Sequence, residues 1–124
     1  MIGLSITGVY WVHDNEPGYA RYFISLSSGE TYEVRRSGVQ KGEVPLNSTS
    51  MEDEFGPILS GPGIAGIYVL GSGNELAIIL LSGHYLNVFG TFDGTNTGNN
   101  FVLHSPPHEE DWVGEIQRDW KRTL

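Results

Sequence analysis

The 124-residue sequence contains no cysteine. Disulfide bonds, cysteine-ligated zinc and thiol nucleophiles are therefore excluded, and the absence fits a reducing compartment. Long apolar runs are also missing, because the longest, Leu76 to Leu81, is too short to cross a bilayer. The first residues lack a basic region and a long apolar stretch, so we expect no secretory signal peptide and a cytoplasmic location.

Positive charge is absent from the middle of the chain. No Lys or Arg lies between Lys41 and Arg118, and the whole chain has a net charge of −8. The acidic residues of this stretch are Glu43, Glu52, Asp53, Glu54, Glu75, Asp93, Glu109, Glu110, Asp111 and Glu115. Such a field repels nucleic acid and anionic membranes, so it favours a basic protein partner. The alternative is acidity that only keeps the protein in solution.

Glycine is abundant at 17 residues, and short β-branched or aromatic runs alternate with turn sequences. This pattern is typical of antiparallel β proteins. It predicts a mostly β single domain over 1–124, built as an antiparallel sandwich or partly open barrel. Two similar strand-loop-hairpin units span 4–36 and 64–92. A long irregular connection over 37–63 joins them, with a short helical turn near Glu52–Phe55, and a final strand and a helix occupy 101–123.

The two units resemble each other in sequence. Residues 22–36 match residues 76–90 without a gap, and the Ser-Gly pair at 28–29 matches the pair at 82–83. If these glycines end three-residue loops, each hairpin gathers its apolar residues on one face. The pattern therefore predicts a duplicated hairpin with a defined register.

The opposite faces of the two hairpins differ. The first carries polar residues, namely Ser25, Thr31, Glu33 and Arg35. The second carries larger and more apolar residues, namely Ile79, Tyr85, Asn87 and Phe89. Leaving the second face in water would forgo about 1.5–3 kcal/mol for each large side chain. We therefore expect this face to be covered.

An amphipathic helix is the favoured cover. Ser105 is a suitable N-cap before two prolines, and basic residues accumulate near the end of the chain. The apolar positions at helical spacing are Trp112, Val113, Ile116 and Trp120. The alternatives are a second copy of the chain, which would make a homo-oligomer, or a ligand pocket.

No motif specifies a metal, a cofactor or a reaction. His104 and His108 are four residues apart, but the prolines between them break a shared helical face, so we predict no metal site. A hydrolase that uses His84 or His108 with a nearby carboxylate is the third functional alternative. No cofactor is expected, and the chain is favoured to be non-catalytic.

The first functional hypothesis is an acidic binding protein that engages or inhibits a basic partner protein. In size and charge the chain is similar to bacterial immunity proteins and phage-encoded inhibitors, a likeness that implies such a role. The acids of the long connection and of the helix start would meet the partner, and apolar residues beside them would anchor it. The expected partner-binding residues are Glu43, Met51, Glu52, Asp53, Glu54 and Phe55.

The second hypothesis is a small-ligand-binding β sandwich or barrel. Aromatic side chains and one amide could line its pocket. The candidate ligand-binding residues are Tyr10, Trp11, Tyr85, Asn87 and Phe89.

Overall fold

The structure of the chain is a computed structural model, which describes residues 1–13, 20–70, 75–90, 99–105 and 120–123. Two antiparallel sheets of five strands each pack around an apolar core. The mostly β class and the antiparallel sandwich predicted from the sequence are therefore confirmed. Within the described ranges, no helix has the length and apolar character needed to cross a membrane.

The first sheet is formed by the first half of the chain. Its strands are β1 (Ile6–His13), β2 (Ala20–Leu26), β3 (Thr31–Arg35), β4 (Gly38–Lys41) and β5 (Thr49–Ser50). They lie in the order β4-β3-β2-β1-β5. A short helix, α1 (Glu52–Phe55), follows β5 and leads into a 3-10 turn over Gly56–Ile58. The helical turn predicted near these residues is confirmed.

The second sheet is formed by the second half of the chain. Its strands are β6 (Ile64–Leu70), β7 (Glu75–Leu80), β8 (Tyr85–Gly90), β9 (Asn99–His104) and β10 (Trp120–Arg122). They lie in the order β10-β6-β7-β8-β9. In both sheets the fifth strand pairs with the first strand of the same unit.

The two hairpins turn in the same way. Gly29 and Gly83 have φ angles of 90° and 88°. The N–H of Gly29 donates to the carbonyl of Leu26, and that of Gly83 donates to the carbonyl of Leu80. Glycine adopts this left-handed conformation without steric cost, which explains its place at the end of each loop. The predicted three-residue loops are therefore confirmed.

The hairpin register also agrees with the alternation in the sequence. Ile24 lies opposite Tyr32, and Ile78 lies opposite Leu86. Because paired residues of antiparallel strands share a face, the apolar residues of each hairpin point to the same side. This side of both sheets faces the core.

The two units correspond beyond the hairpins. The N–H of Met51 donates to the carbonyl of Val9, and the N–H of Thr123 donates to the carbonyl of Ile67, both at 2.8 Å. These bonds lie just after β5 and just after β10. The duplicated unit is therefore a whole five-stranded sheet, with β4 and β9 at one edge and β5 and β10 at the other.

Two sequence predictions need correction. Residues 37–63 were expected to be irregular, but they contain β4 and β5 in addition to the helical turn. Trp120 was expected on the apolar stripe of a C-terminal helix, but Trp120–Arg122 pair with β6 as an extended strand. The prediction of a helix is therefore wrong for Trp120–Arg122. The rest of the predicted helix, over 106–119, lies outside the described residues.

The core lies between the two sheets, and its buried members among the described residues are apolar apart from the Tyr22 hydroxyl. Phe55 and Ile58 from the helical turns enter it, and the Phe55 ring stacks on Phe101 with a centroid distance of 5.2 Å. Tyr22 contacts the same Phe101 ring at 4.9 Å. The buried members are Ile6, Val9, Tyr22, Ile24, Leu26, Val34, Phe55, Ile58, Ile64, Ile67, Val69, Leu76, Ile78, Leu80, Leu86, Val88 and Phe101.

The connection over 42–48 joins β4 and β5, which lie at opposite edges of the first sheet. At its start, the N–H of Gly42 donates to the carbonyl of Thr31 at 3.2 Å, and Val44 and Pro45 are half-buried. The Phe23 side chain lies on the face of the first sheet opposite the core, which we call the outer face. Phe23 on this outer face is only 1 % exposed.

Candidate partner-binding site

The predicted partner-binding acids lie on one continuous stretch of chain. We call residues 43–54 the acidic ridge. It begins after β4, forms edge strand β5 and ends in α1. All four carboxylates of the ridge are exposed, namely those of Glu43, Glu52, Asp53 and Glu54. The ridge contains no Lys or Arg.

The carboxylates of the ridge have no salt-bridge partner within the described part of the chain. None of the four forms an ion pair with another described residue. The other described acids, in contrast, are all engaged, because Glu30 and Glu33 form salt bridges and Glu75 accepts a hydrogen bond from Asn87. Among the acids that the structure describes, the unpaired carboxylates are therefore those of the ridge.

Glu33, a carboxylate of the first sheet outside the ridge, is neutralised by two arginines. Its side chain lies on the outer face, is 3 % exposed, and accepts hydrogen bonds from Nε of Arg21 at 2.8 Å and Nε of Arg35 at 2.7 Å. Burial alone would raise the pKa of Glu33, but the hydrogen bonds from Arg35 and Arg21 outweigh it and hold the pKa below its usual range. The two arginines are thus committed to an internal carboxylate.

Lys41 is engaged in a similar way. Its ammonium group lies 3.3 Å from a carboxylate oxygen of Glu30, which also accepts a hydrogen bond from the Tyr32 hydroxyl. The Tyr32 hydrogen bond, with the charge of Lys41, lowers the pKa of Glu30. Basic side chains next to the ridge therefore have carboxylates of their own, and they do not neutralise the ridge.

The helical end of the ridge lies close to the core. Met51 is half-buried, and the side chain of Glu54 faces outward near the Tyr22 hydroxyl. Burial, with the negative charge of Glu54, raises the pKa of Tyr22. The charge of Glu54 thus acts on the Tyr22 hydroxyl, at the boundary between the ridge and the core.

Phe55 requires a correction. The sequence suggested it as an apolar anchor for the partner, but it is 1 % exposed and stacks on Phe101 within the core. A side chain in this position holds α1 against the sandwich and cannot also fill a pocket on another protein. Phe55 is therefore a structural residue and not a partner-binding one.

Leu46 is the residue of the ridge that sequence reasoning missed. It lies in a turn closed by a hydrogen bond from the N–H of Ser48 to the carbonyl of Pro45, at 3.1 Å. The exposed fraction of Leu46 is 106 %, that of a side chain with no neighbours. A leucine directly after a proline, in a stretch without strand periodicity, was the available signal.

The residues of the alternative ligand pocket are not brought together. Tyr10 pairs with Phe23 on the outer face of the first sheet, whereas Trp11 alternates to the core side. The other three, Tyr85, Asn87 and Phe89, lie on the outer face of the second sheet. These five residues therefore do not form one pocket.

The outer face of the second sheet is partly covered. Ile79, Tyr85 and Phe89 are half-buried, and the Tyr85 ring stacks on His104 with a centroid distance of 4.4 Å. Asn87 is buried and donates one hydrogen bond to the Glu75 carboxylate and one to the carbonyl of Leu76. The expected covers, a helix over 106–119 or a second copy of the chain, stay predictions.

For His84, the described residues give the hydrolase alternative no geometric support. Nδ1 of His84 lies 2.9 Å from the hydroxyl of Ser82, within the turn of the second hairpin. No carboxylate of a described residue contacts His84. His108 lies outside the described residues. In the part of the chain that the structure describes, no group of three ligand-type side chains is placed to hold a metal ion.

Comparison of the chain with known protein families, with curated proteins and with solved structures gave no match.

Proposed function

We propose that the chain is a non-catalytic binding protein that engages, and thereby inhibits, a basic partner protein through the acidic ridge. The observation that carries this proposal is the separation of the acids that the structure describes into two groups. Glu30, Glu33 and Glu75 bond to other residues of the chain, whereas the four carboxylates of the ridge are exposed and unpaired.

Unpaired carboxylates suit a recognition surface for energetic reasons. A carboxylate without an internal partner gives up only bound water when it meets a Lys or Arg of another protein. The net charge of −8 would in addition attract a basic protein over a distance and speed the encounter. Nucleic acid and anionic membranes would be repelled by the same field.

The geometry of the ridge also suits a protein partner. It includes edge strand β5, where both Thr49 and Ser50 are exposed. An exposed strand edge between carboxylates fits the surface of another protein better than it encloses a small molecule. We propose a cytoplasmic setting for this interaction.

A selection with a phage-displayed library of random peptides on the immobilised wild-type chain tests the proposal. We expect the selected peptides to be rich in Lys and Arg and to bind less tightly as salt is added. A variant with Glu43→Gln, Glu52→Gln, Asp53→Asn and Glu54→Gln should bind these peptides at least about 4-fold more weakly, since each exposed ion pair contributes about 0.2–1 kcal/mol.

The control for this experiment is Glu75→Gln. It removes one carboxylate charge outside the ridge, from a residue that is hydrogen-bonded to Asn87. Peptide affinity should be unchanged in this variant. The proposal is wrong if the selected peptides show no excess of Lys and Arg, or if the four-site variant binds them as well as the wild-type chain does.

A further inference from the structure

Four large apolar side chains of the described residues are exposed, namely Ile2, Leu46, Leu81 and Val102. Single exposed apolar residues are ordinary on protein surfaces. Leu46 differs from the other three because its side chain is fully exposed, whereas Leu81, the next, is 69 % exposed. It also lies within the acidic ridge, where its place along the chain is between Glu43 and Glu52, whose carboxylates are unpaired.

The chain holds Leu46 in a defined position. Pro45 restricts the backbone directly before it, and the N–H of Ser48 closes the turn by bonding to the carbonyl of Pro45. Val44 and Pro45 are half-buried, so the segment before the turn rests on the protein. The strands at its two ends, β4 and β5, are both paired into the first sheet. A turn fixed at both ends loses little conformational freedom on binding.

We infer that Leu46 is the apolar anchor of the interaction, and that it inserts into an apolar pocket bordered by Lys or Arg side chains on the basic partner. This inference rests on the proposed function and adds the shape and chemistry of the partner surface. Affinity at protein interfaces is concentrated in a few apolar or aromatic side chains that become fully desolvated, while the charges around them mainly set the encounter rate and the specificity. Leu46 has the whole of its apolar surface available for such burial.

Burial explains why Leu46, and not Phe55, is the apolar anchor for the partner. The apolar surface of Phe55 is already buried against Phe101 in the core, so it cannot contact a partner protein. Leu46 makes no such contribution to the fold, since its side chain has no neighbours. Its replacement should therefore leave stability unchanged, which separates binding from folding in a test.

The test compares Leu46→Ala with Leu81→Ala, using the Lys- and Arg-rich peptides selected on the wild-type chain and isothermal titration calorimetry. Leu81 is a matched control because it is also an exposed leucine in a turn, but it lies outside the ridge, in the second hairpin. We expect Leu46→Ala to weaken binding by about 10-fold or more, and Leu81→Ala to leave it within about 2-fold. Thermal unfolding should be the same for both variants and the wild-type chain.

The two proposals fail in different ways. If the peptides bind Leu46→Ala as tightly as the wild-type chain but bind the four-site charge variant weakly, the anchor inference is overturned and the proposed function stands. If the charge variant also binds normally, both are overturned. A selected set of basic peptides without any aliphatic or aromatic residue would likewise contradict the anchor.

Discussion

Glu33 and Asn87 occupy the same position in the two units, and their hydrogen bonds run in opposite directions. Both are buried on the outer face of their sheet. Glu33 accepts a hydrogen bond from Arg21, whereas Asn87 donates one to Glu75, the residue that corresponds to Arg21 in the second unit. The same position is thus satisfied by an ion pair in one sheet and by an amide in the other. Stability of the first sheet should therefore depend on charge in a way that stability of the second does not.

Acid should destabilise the protein through Glu33. Its pKa is lower in the folded chain than in the unfolded chain. The stabilising effect is therefore present above the unfolded pKa of about 4.3 and is lost as the pH falls through the folded pKa. Urea denaturation at a series of pH values should show a loss below about pH 4.3 that is smaller in Glu33→Gln. Equal pH profiles for the two proteins would contradict this assignment.

Replacing both Arg21 and Arg35 should lower the free energy of unfolding more than replacing Glu33 does. Arg21→Gln with Arg35→Gln leaves the buried carboxylate without its two cationic partners, at a cost of about 3 kcal/mol, while Glu33→Gln should cost about 1–2 kcal/mol. Without the arginines, burial raises the pKa of Glu33, so the double variant should recover stability as the pH falls. The wild-type chain changes in the opposite direction. Chemical denaturation at two pH values shows whether the stability of each protein rises or falls as the pH is lowered.

The two hairpin glycines should each resist replacement. Gly29→Ala and Gly83→Ala place a side chain at a φ near 90°, which costs an L-residue about 1–2 kcal/mol. Gly38→Ala is the control, because a Cβ there meets no atom within 4 Å and its backbone is not left-handed. It should be neutral or slightly stabilising. Thermal unfolding of the three variants measures the difference, and similar losses at all three positions would contradict it.

Phe55→Ala should unfold the protein more readily, as a core substitution does. Loss of its contact with Phe101 should cost about 3–5 kcal/mol, and the half-buried Met51→Ala should cost less. The melting temperature of each variant checks this order. A Phe55→Ala variant as stable as the wild-type chain would show that Phe55 lies on the surface after all.

The hairpins could be predicted from the sequence because their determinants are local. Alternating apolar residues fix which face is buried, and Gly29 and Gly83 fix the loops, so register follows from a few neighbouring residues. Edge strands β5 and β10 were not predicted because their determinants are distant. β5 has two residues and β10 has three, and both exist only because β1 and β6 offer free hydrogen-bonding edges.

The site was predicted in part for a similar reason. The absence of Lys and Arg between Lys41 and Arg118 identified the ridge, since charge is visible in composition. Whether a neighbouring apolar residue faces the core or the solvent depends on tertiary packing. Phe55 and Leu46 are both apolar residues in irregular sequence, and only the structure separates the core residue from the exposed one.

In each unit the strand that completes the sheet, β5 or β10, is the last to be made and pairs with the first. Until it is in place, β1 or β6 presents unpaired backbone groups along one edge, which is the usual route to aggregation. The first unit can close this edge while the second is still being synthesised. The two units share one strand order, so β5 of one chain is able to pair with the open edge of β6 in another chain. When β5 has already paired with β1 of its own chain, it is no longer available for this exchange of strands between copies.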